Sequence, residues 1–205
     1  YRKAGIIHIY IGVEATSQAT LDRLKKDIKV EQSREAIRLI NEAGMVTETS
    51  FILGFPEETP ESIAETLKLA KFYAPDFAHI LALAPWPYAD LYPELEPHVV
   101  ETDFRKYNLV EPVVRPEAMT LDEMRLELHR ATGHFFLDKF KRLAELTPGK
   151  RDYLVKVLRL LIEHSYLGTE MHRMAGHADM PPEVKAMLAE LDIELPGEPK
   201  VAGTG

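Results

Sequence analysis

The side chains of this 205-residue chain that could do chemistry collect where apolar runs stop. Glu14 ends the run at residues 6–13 (IIHIYIGV). A carboxylate at a strand end can accept hydrogen bonds from sugar hydroxyls, or it can be a solvated charge favoured by the dipole of the next helix. Ser50, Ile52 and Gly54 close the run at residues 46–53 (VTETSFIL) and its exit. Gly54 would let a flat ring approach the backbone and Ile52 could face it, although Gly-x-Pro after a strand is also an ordinary turn. Glu57 and Glu58 come next and suit that turn and the following helix start better than catalysis. Residues 85–93 (PWPYADLYP) hold three prolines and three aromatics. Trp86, Tyr88 and Tyr92 could form a stiff wall beside a ligand, or a packing loop that closes one end of a sheet.

Other chemistries find no support. His129 and His134 are five residues apart, on different faces of a helix, and His164, His172 and His177 have no HExxH-like spacing. The sequence contains no G-x-S-x-G, no Walker loop and no G-x-G-x-x-G, so no catalytic residue and no metal ligand is assigned. With 25 basic against 33 acidic residues the formal charge is −8, unlike a nucleic-acid binder that gains affinity by neutralising phosphates. No apolar run approaches the ~20 residues of a membrane span. Cysteine is absent, which excludes disulfides and thiolate ligands within the chain and suits the cytoplasm. The opening Tyr1-Arg2-Lys3-Ala4-Gly5 reads as a helix end with its terminal glycine. The expectation is therefore a chain cut from something longer.

The elements that position these residues alternate. Residues 6–13, 46–53 and 77–84 read as strands, the first nearly all apolar, as a parallel strand covered on both faces is. A helix is strongest over residues 31–43, with Gly44 just past its end. Another runs over residues 60–73, with Thr59 as N-cap, Pro60 at the first position and Pro75 closing it. Strand–helix alternation implies a parallel sheet with right-handed crossovers. Residues 96–119 read as a connector. From Thr120 the pattern is helical: a capping box at Thr120–Glu123, a helix to about Leu146, a break at Pro148-Gly149, a second helix over residues 151–167 and a third over 182–191. The Gly- and Pro-rich residues 196–205 read as a disordered tail.

Taken together, the strand ends resemble the later half of a radical S-adenosylmethionine barrel. Ile11-Gly12-Val13-Glu14-Ala15-Thr16-Ser17 is similar to its fourth-strand exit, written GVES or GVQS. Ser50-Phe51-Ile52-Leu53-Gly54-Phe55-Pro56-Glu57 is similar to its fifth-strand motif GxIxGxxE, with Ser50 at the first Gly. Residues 77–91 resemble the sixth strand and its exit. The resemblance covers roughly residues 1–95. It implies an α/β fold in which those residues are the last three β/α units of a partial six-stranded TIM-like barrel, and residues 120–195 a helical cap over its mouth. It implies Glu14 at the ribose of S-adenosylmethionine, Ser50 near ribose or adenine, Ile52 on the adenine, and Gly54 permitting that approach. Lys26 falls where the family often places a cation for the methionine carboxylate; its plainer reading is a solvated helix lysine.

Residues 85–91, 103–108 and 115–119 resemble, more narrowly, the oxygen-independent magnesium-protoporphyrin IX monomethyl ester oxidative cyclases. That likeness implies a tetrapyrrole substrate with Trp86, Tyr88 and Tyr92 as its wall. It also implies a 4Fe–4S cluster held by a CxxxCxxC loop, cobalamin, an electron donor such as flavodoxin or ferredoxin, and a 5′-deoxyadenosyl radical. The chain departs from the family in having no cysteine, so the cluster ligands would lie upstream. Two rivals remain: a cobalamin-dependent radical methyltransferase, and a non-catalytic binding or assembly domain derived from the barrel.

Overall fold

Three strands, β1 (His8–Glu14), β2 (Val46–Leu53) and β3 (Phe77–Ala82), pair in parallel in the order β1-β2-β3. The computed structural model describes residues 1–164 and 182–190, which fall into two compact units, Tyr1–Asp138 and Lys139–Gly205. Helices α1 (Gln18–Arg23) and α2 (Val30–Glu42) join β1 to β2, and α3 (Pro60–Tyr73) joins β2 to β3. After β3 come a short helix α4 (Tyr92–Leu95) and a long helix α5 (Leu121–Lys141).

Local chemistry sets the element ends. Gly44 takes φ +69 just past α2, where a side chain would be strained. Thr59 accepts from the Ser62 amide at 3.2 Å at the start of α3. At α5 the Thr120 amide donates to Glu123 at 2.8 Å while Thr120 Oγ1 accepts from the Glu123 amide at 3.2 Å, the reciprocal box expected. Arg2–Ala4 is a single tight turn closed by Gly5 at φ +89.

Because strand side chains alternate between faces, the sheet has two unlike sides. Val13, Phe51 and Ala78 cluster with Ile37 of α2, Ala70 and Tyr73 of α3, and Phe135 of α5. Leu53 and Ala82 cluster with Ile63 of α3 and with Met124, Leu128 and Ala131 of α5. The buried residues of α5 recur at helical spacing, and that stripe lies on the same sheet face as α2 and α3. The part of the expected cap region that runs along α5 thus packs on the apolar face of the sheet. An unbroken apolar stripe seeks the apolar side of the sheet, not its polar rim.

The stretch expected as a connector also belongs to the core. Tyr107, Val113 and Val114 are buried with Phe55, Leu83 and Leu95. The Ala82 amide donates to the Leu109 carbonyl at 2.7 Å, and the Glu117 amide to the Pro56 carbonyl at 2.8 Å. Residues 99 and 114 form an antiparallel bridge. The valines in this stretch carry the burial, and its prolines kept it from reading as periodic.

In the second unit, α6 (Pro148–His164) buries Leu154, Leu158 and Ile162, and α7 (Pro182–Glu190) buries Leu188. Pro148-Gly149 opens α6 and does not separate two helices; Pro is tolerated in a first turn, where amides have no helical partner. α5 ends at Lys141, before a tight turn at Leu143–Glu145. The expected tail, His172, His177 and the end of the second helix lie outside the described residues.

Candidate functional site: a carboxylate laid over a glycine at the strand ends

The open side of the sheet carries Tyr10, Gly12, Glu48, Ser50, Ile52 and His79, which alternate with the helix-covered residues. Gly12, Ser50 and His79 stand in one register row across the three strands. One pleat lower, the Glu48 carboxylate is approached by the Nε2 atoms of His8, at 3.0 Å, and His79. Among the described residues no group of His, Asp and Glu could hold a metal ion.

Glu14 occupies the end of β1 in an unusual way. The β1–β2 register slips between Gly12 and Glu14, leaving Val13 as an extra residue, and Glu14 takes φ +63. Its side chain folds back over Gly12. A Cβ built on Gly12 would lie 2.3 Å from Glu14 Oε1, so only glycine leaves room for the carboxylate. Lys26 Nζ donates to the same oxygen at 3.0 Å. The carboxylate is largely buried, with 15% of its side chain exposed, whereas that of Lys26 is 42% exposed. The turn that delivers Lys26 ends α1: Lys25 takes φ +54, and the Lys26 amide donates to the Leu21 carbonyl at 2.9 Å. Lys26 is therefore in a helix-terminating turn, not on a helix face.

At the end of β2, Ser50 is buried and Ile52 packs partly against the cluster of Phe55, Leu83 and Leu95. Gly54 takes φ +100, so its turn needs glycine. The side where its Cβ would stand faces Met124 Cε at 3.5 Å and the Leu83 amide at 3.7 Å. Glu58 holds this turn, its carboxylate accepting from the amides of Gly54 and Phe55, the second at 3.2 Å. Burial pushes the Glu58 carboxyl up to about 7, and the two amides pull against that shift without cancelling it.

At the end of β3, Trp86 stacks on Tyr88 with ring centres 6.1 Å apart, and on Phe104 at 6.0 Å. Tyr107 meets Trp86 at 5.4 Å and Phe104 at 5.1 Å. Tyr88 is 84% exposed and Phe104 53%, so the pile presents ring faces to its surroundings. Tyr92 begins α4, half-buried, and no described ring contact joins it to this pile.

The geometry thus gathers Glu14, Lys26 and the register row of Ser50 at one end of the sheet. It sets Ile52 one pleat further along and puts Trp86 with Tyr88. Sequence reasoning passed over Gly12, whose place two residues before a strand-end carboxylate was the available signal, and Phe104, whose ring is assembled by a turn at Phe104–Lys106 that no periodicity marks.

Comparison with known proteins follows this geometry. Residues 1–70 match the Radical SAM superfamily. The matched segment holds β1, α1, α2, β2 and most of α3. An anaerobic magnesium-protoporphyrin IX monomethyl ester cyclase of Rubrivivax gelatinosus is 38% identical over 168 residues, which cover 81% of this chain and 30% of that protein. The enzyme of the same name from Cereibacter sphaeroides is 37% identical over 165 residues, covering 80% and 27%. An uncharacterized methyltransferase of Pyrococcus horikoshii is 30% identical over 138 residues, covering 66% and 30%. The chain therefore spans less than a third of the length of these relatives. Among solved structures, coproporphyrinogen III oxidase from Escherichia coli, titled a radical SAM enzyme, aligns with a TM-score of 0.45 at 19% identity, over 67% of this chain and 28% of that one.

Proposed function

We propose that this chain holds the nucleoside of S-adenosylmethionine at the strand ends, within a radical enzyme that acts on a tetrapyrrole as the anaerobic magnesium-protoporphyrin IX monomethyl ester cyclases do. The observation that carries the proposal is the Glu14 carboxylate laid over Gly12 and paired with Lys26, at the end of the row that includes Ser50. The identity to the two cyclases supports the choice of reaction.

In this reading Glu14 accepts hydrogen bonds from the ribose hydroxyls. Its lower exposure than Lys26 means that water competes weakly for it. Lys26 neutralises Glu14 when the site is empty and turns its remaining donors toward the methionine carboxylate when it is filled. Ile52 offers an apolar edge to the adenine, and the turn held by Glu58 keeps Gly54 and Ile52 in place. The Tyr88–Trp86–Phe104 pile offers flat faces for a flat substrate. S-adenosylmethionine held there would supply a 5′-deoxyadenosyl radical, with release of methionine, on taking one electron from a donor outside this chain. The residues of this chain do not fit an iron–sulfur cluster, since none is cysteine. Cobalamin, an external electron donor and a cytoplasmic location belong to the same proposal. Among the described residues no helix is long and apolar enough to cross a membrane.

Calorimetric titration of the chain with S-adenosylmethionine tests the site. Glu14→Gln is expected to weaken binding about tenfold or more, by loss of charge-assisted hydrogen bonds. Equal affinity of variant and parent would overturn it. Gene sequence upstream of the Tyr1 codon is expected to encode CxxxCxxC in frame. The likeness to the Pyrococcus horikoshii methyltransferase favours a second reading, cobalamin-dependent methyl transfer at the same site. Product analysis, a new ring against an added methyl group, separates the two.

A further inference from the structure

Arg23 is not required by any role proposed so far. It ends α1, three residues before Lys26, and its guanidinium spans the mouth between two loops. Nη1 meets Glu57 Oε1 at 2.6 Å, in the turn after β2, and Nη2 meets Glu94 Oε1 at 2.7 Å, in α4 after β3. The same group lies over the Phe55 ring, 5.3 Å from its centre. Two residues on, Lys25 pairs with Asp90 at 2.8 Å, at the tip of the loop that carries the aromatic pile. One helix end thus fastens both exits.

The exposures say what such a fastening can do. The Arg23 side chain is 22% exposed, its carboxylate partners more than half. Burial works against the Arg23 charge, and the two carboxylates more than restore it. Losing Arg23 returns Glu57 and Glu94 to water, which costs little folding stability. What is lost is order. Residues 86–92 are tied to one another by the Ala89 amide to Trp86 and the Tyr92 amide to Ala89, both turns internal to the loop. Among the described residues Arg23 is paired on both sides, with Glu57 after β2 and with Glu94 in α4, which follows the loop directly, while Leu24 and Leu91 pack against the cluster that holds Phe55 and Leu95.

We infer that Arg23 is a positioning residue that sets the aromatic loop against the β2 exit, and so fixes the entrance for a flat substrate relative to the nucleoside site. The inference rests on the proposed function for the nature of that substrate, but not for the fastening itself. The two carboxylates sit on different nitrogens of one rigid fork. A lysine, being a single point charge, serves one partner or the other, so Arg23→Lys is not conservative here.

Trp86 is the only tryptophan of the chain, so its indole can be followed alone. The experiment labels the chain with 5-fluorotryptophan and compares its fluorine resonance in the parent, Arg23→Met, Arg23→Lys and Glu94→Gln, with Leu39→Ala on the exposed surface as control. Protoporphyrin IX and S-adenosylmethionine are titrated into each. Arg23→Met and Glu94→Gln are expected to shift or broaden the Trp86 resonance and to weaken protoporphyrin binding about tenfold, with S-adenosylmethionine affinity within about twofold of the parent. Arg23→Lys should fall between, and the control should match the parent. An unchanged resonance in folded Arg23→Met, confirmed folded by circular dichroism, overturns the inference. If the parent binds neither ligand but the resonance still moves in Glu94→Gln, the fastening stands and the proposed function falls.

Discussion

The two faces of the sheet follow opposite rules. Val13, Phe51, Leu53, Ala78 and Ala82 are closed under helices in two apolar clusters. The other face carries Tyr10 and Glu48 in one register row and Ser50 and His79 in the next, with Tyr10 54% exposed. Strand alternation allows both to be written in one stretch of sequence, one residue in two for each purpose. The covered face therefore specifies that the chain folds, and the open face specifies what it can hold. Substitutions on the first should move stability and leave per-molecule affinity alone; those on the second should do the reverse.

The largest effect is expected on the covered side. Phe135→Ala or Phe51→Ala should cost about 3–5 kcal/mol in denaturant unfolding, by lost burial plus a cavity. A loss below ~1 kcal/mol would mean that this cluster is not the core. Next comes Glu58, which sits between the faces. Its folded pKa is raised from 4.5 to about 7, so the folded form binds the proton more tightly than the unfolded. That contribution is complete below the unfolded value and fades as pH rises through the folded one. Between pH 4.5 and 7 the parent should therefore lose stability relative to Glu58→Gln, by at most about 3 kcal/mol, read from unfolding midpoints along the pH series. A flat difference would show that the turn tolerates the charge.

Gly12→Ala should separate the two rules most sharply. The added methyl displaces only the far end of the Glu14 side chain, so the stability change should stay under ~1 kcal/mol. Affinity for S-adenosylmethionine should fall about tenfold, since the carboxylate can no longer rest where it does. The smallest effect is expected from Tyr10→Ser, within ~0.5 kcal/mol, as for a side chain more than half exposed.

These contrasts explain what the sequence disclosed. The three strands, α2, α3 and the capping box at Thr120 were legible because periodicity and caps are local signals. The strand β2 is found as expected, β1 starts two residues and ends one residue later than expected, and β3 ends two residues earlier. Glu14, Ser50 and Ile52 were legible as residues at or near the ends of the first two strand runs. Three things were not. The burial of Val113 and Val114 depends on partners far away in sequence, and prolines hide it. The side on which α5 packs depends on which sheet face is apolar, and a near-continuous apolar run such as residues 6–13 does not say. Arg23 looks like any surface arginine until the two exits it joins are placed beside one another.

The backbone of Glu14 carries one further consequence. An L-residue at φ +63 is held against its own preference, at a cost of about 1 kcal/mol that glycine would not incur. The ion pair with half-exposed Lys26 returns less than that. Glu14→Gly should thus yield a chain that melts at a higher temperature and no longer grips a ribose. A population of variants screened by heat alone would drift to glycine at this position, and one screened by nucleoside capture would keep the acid.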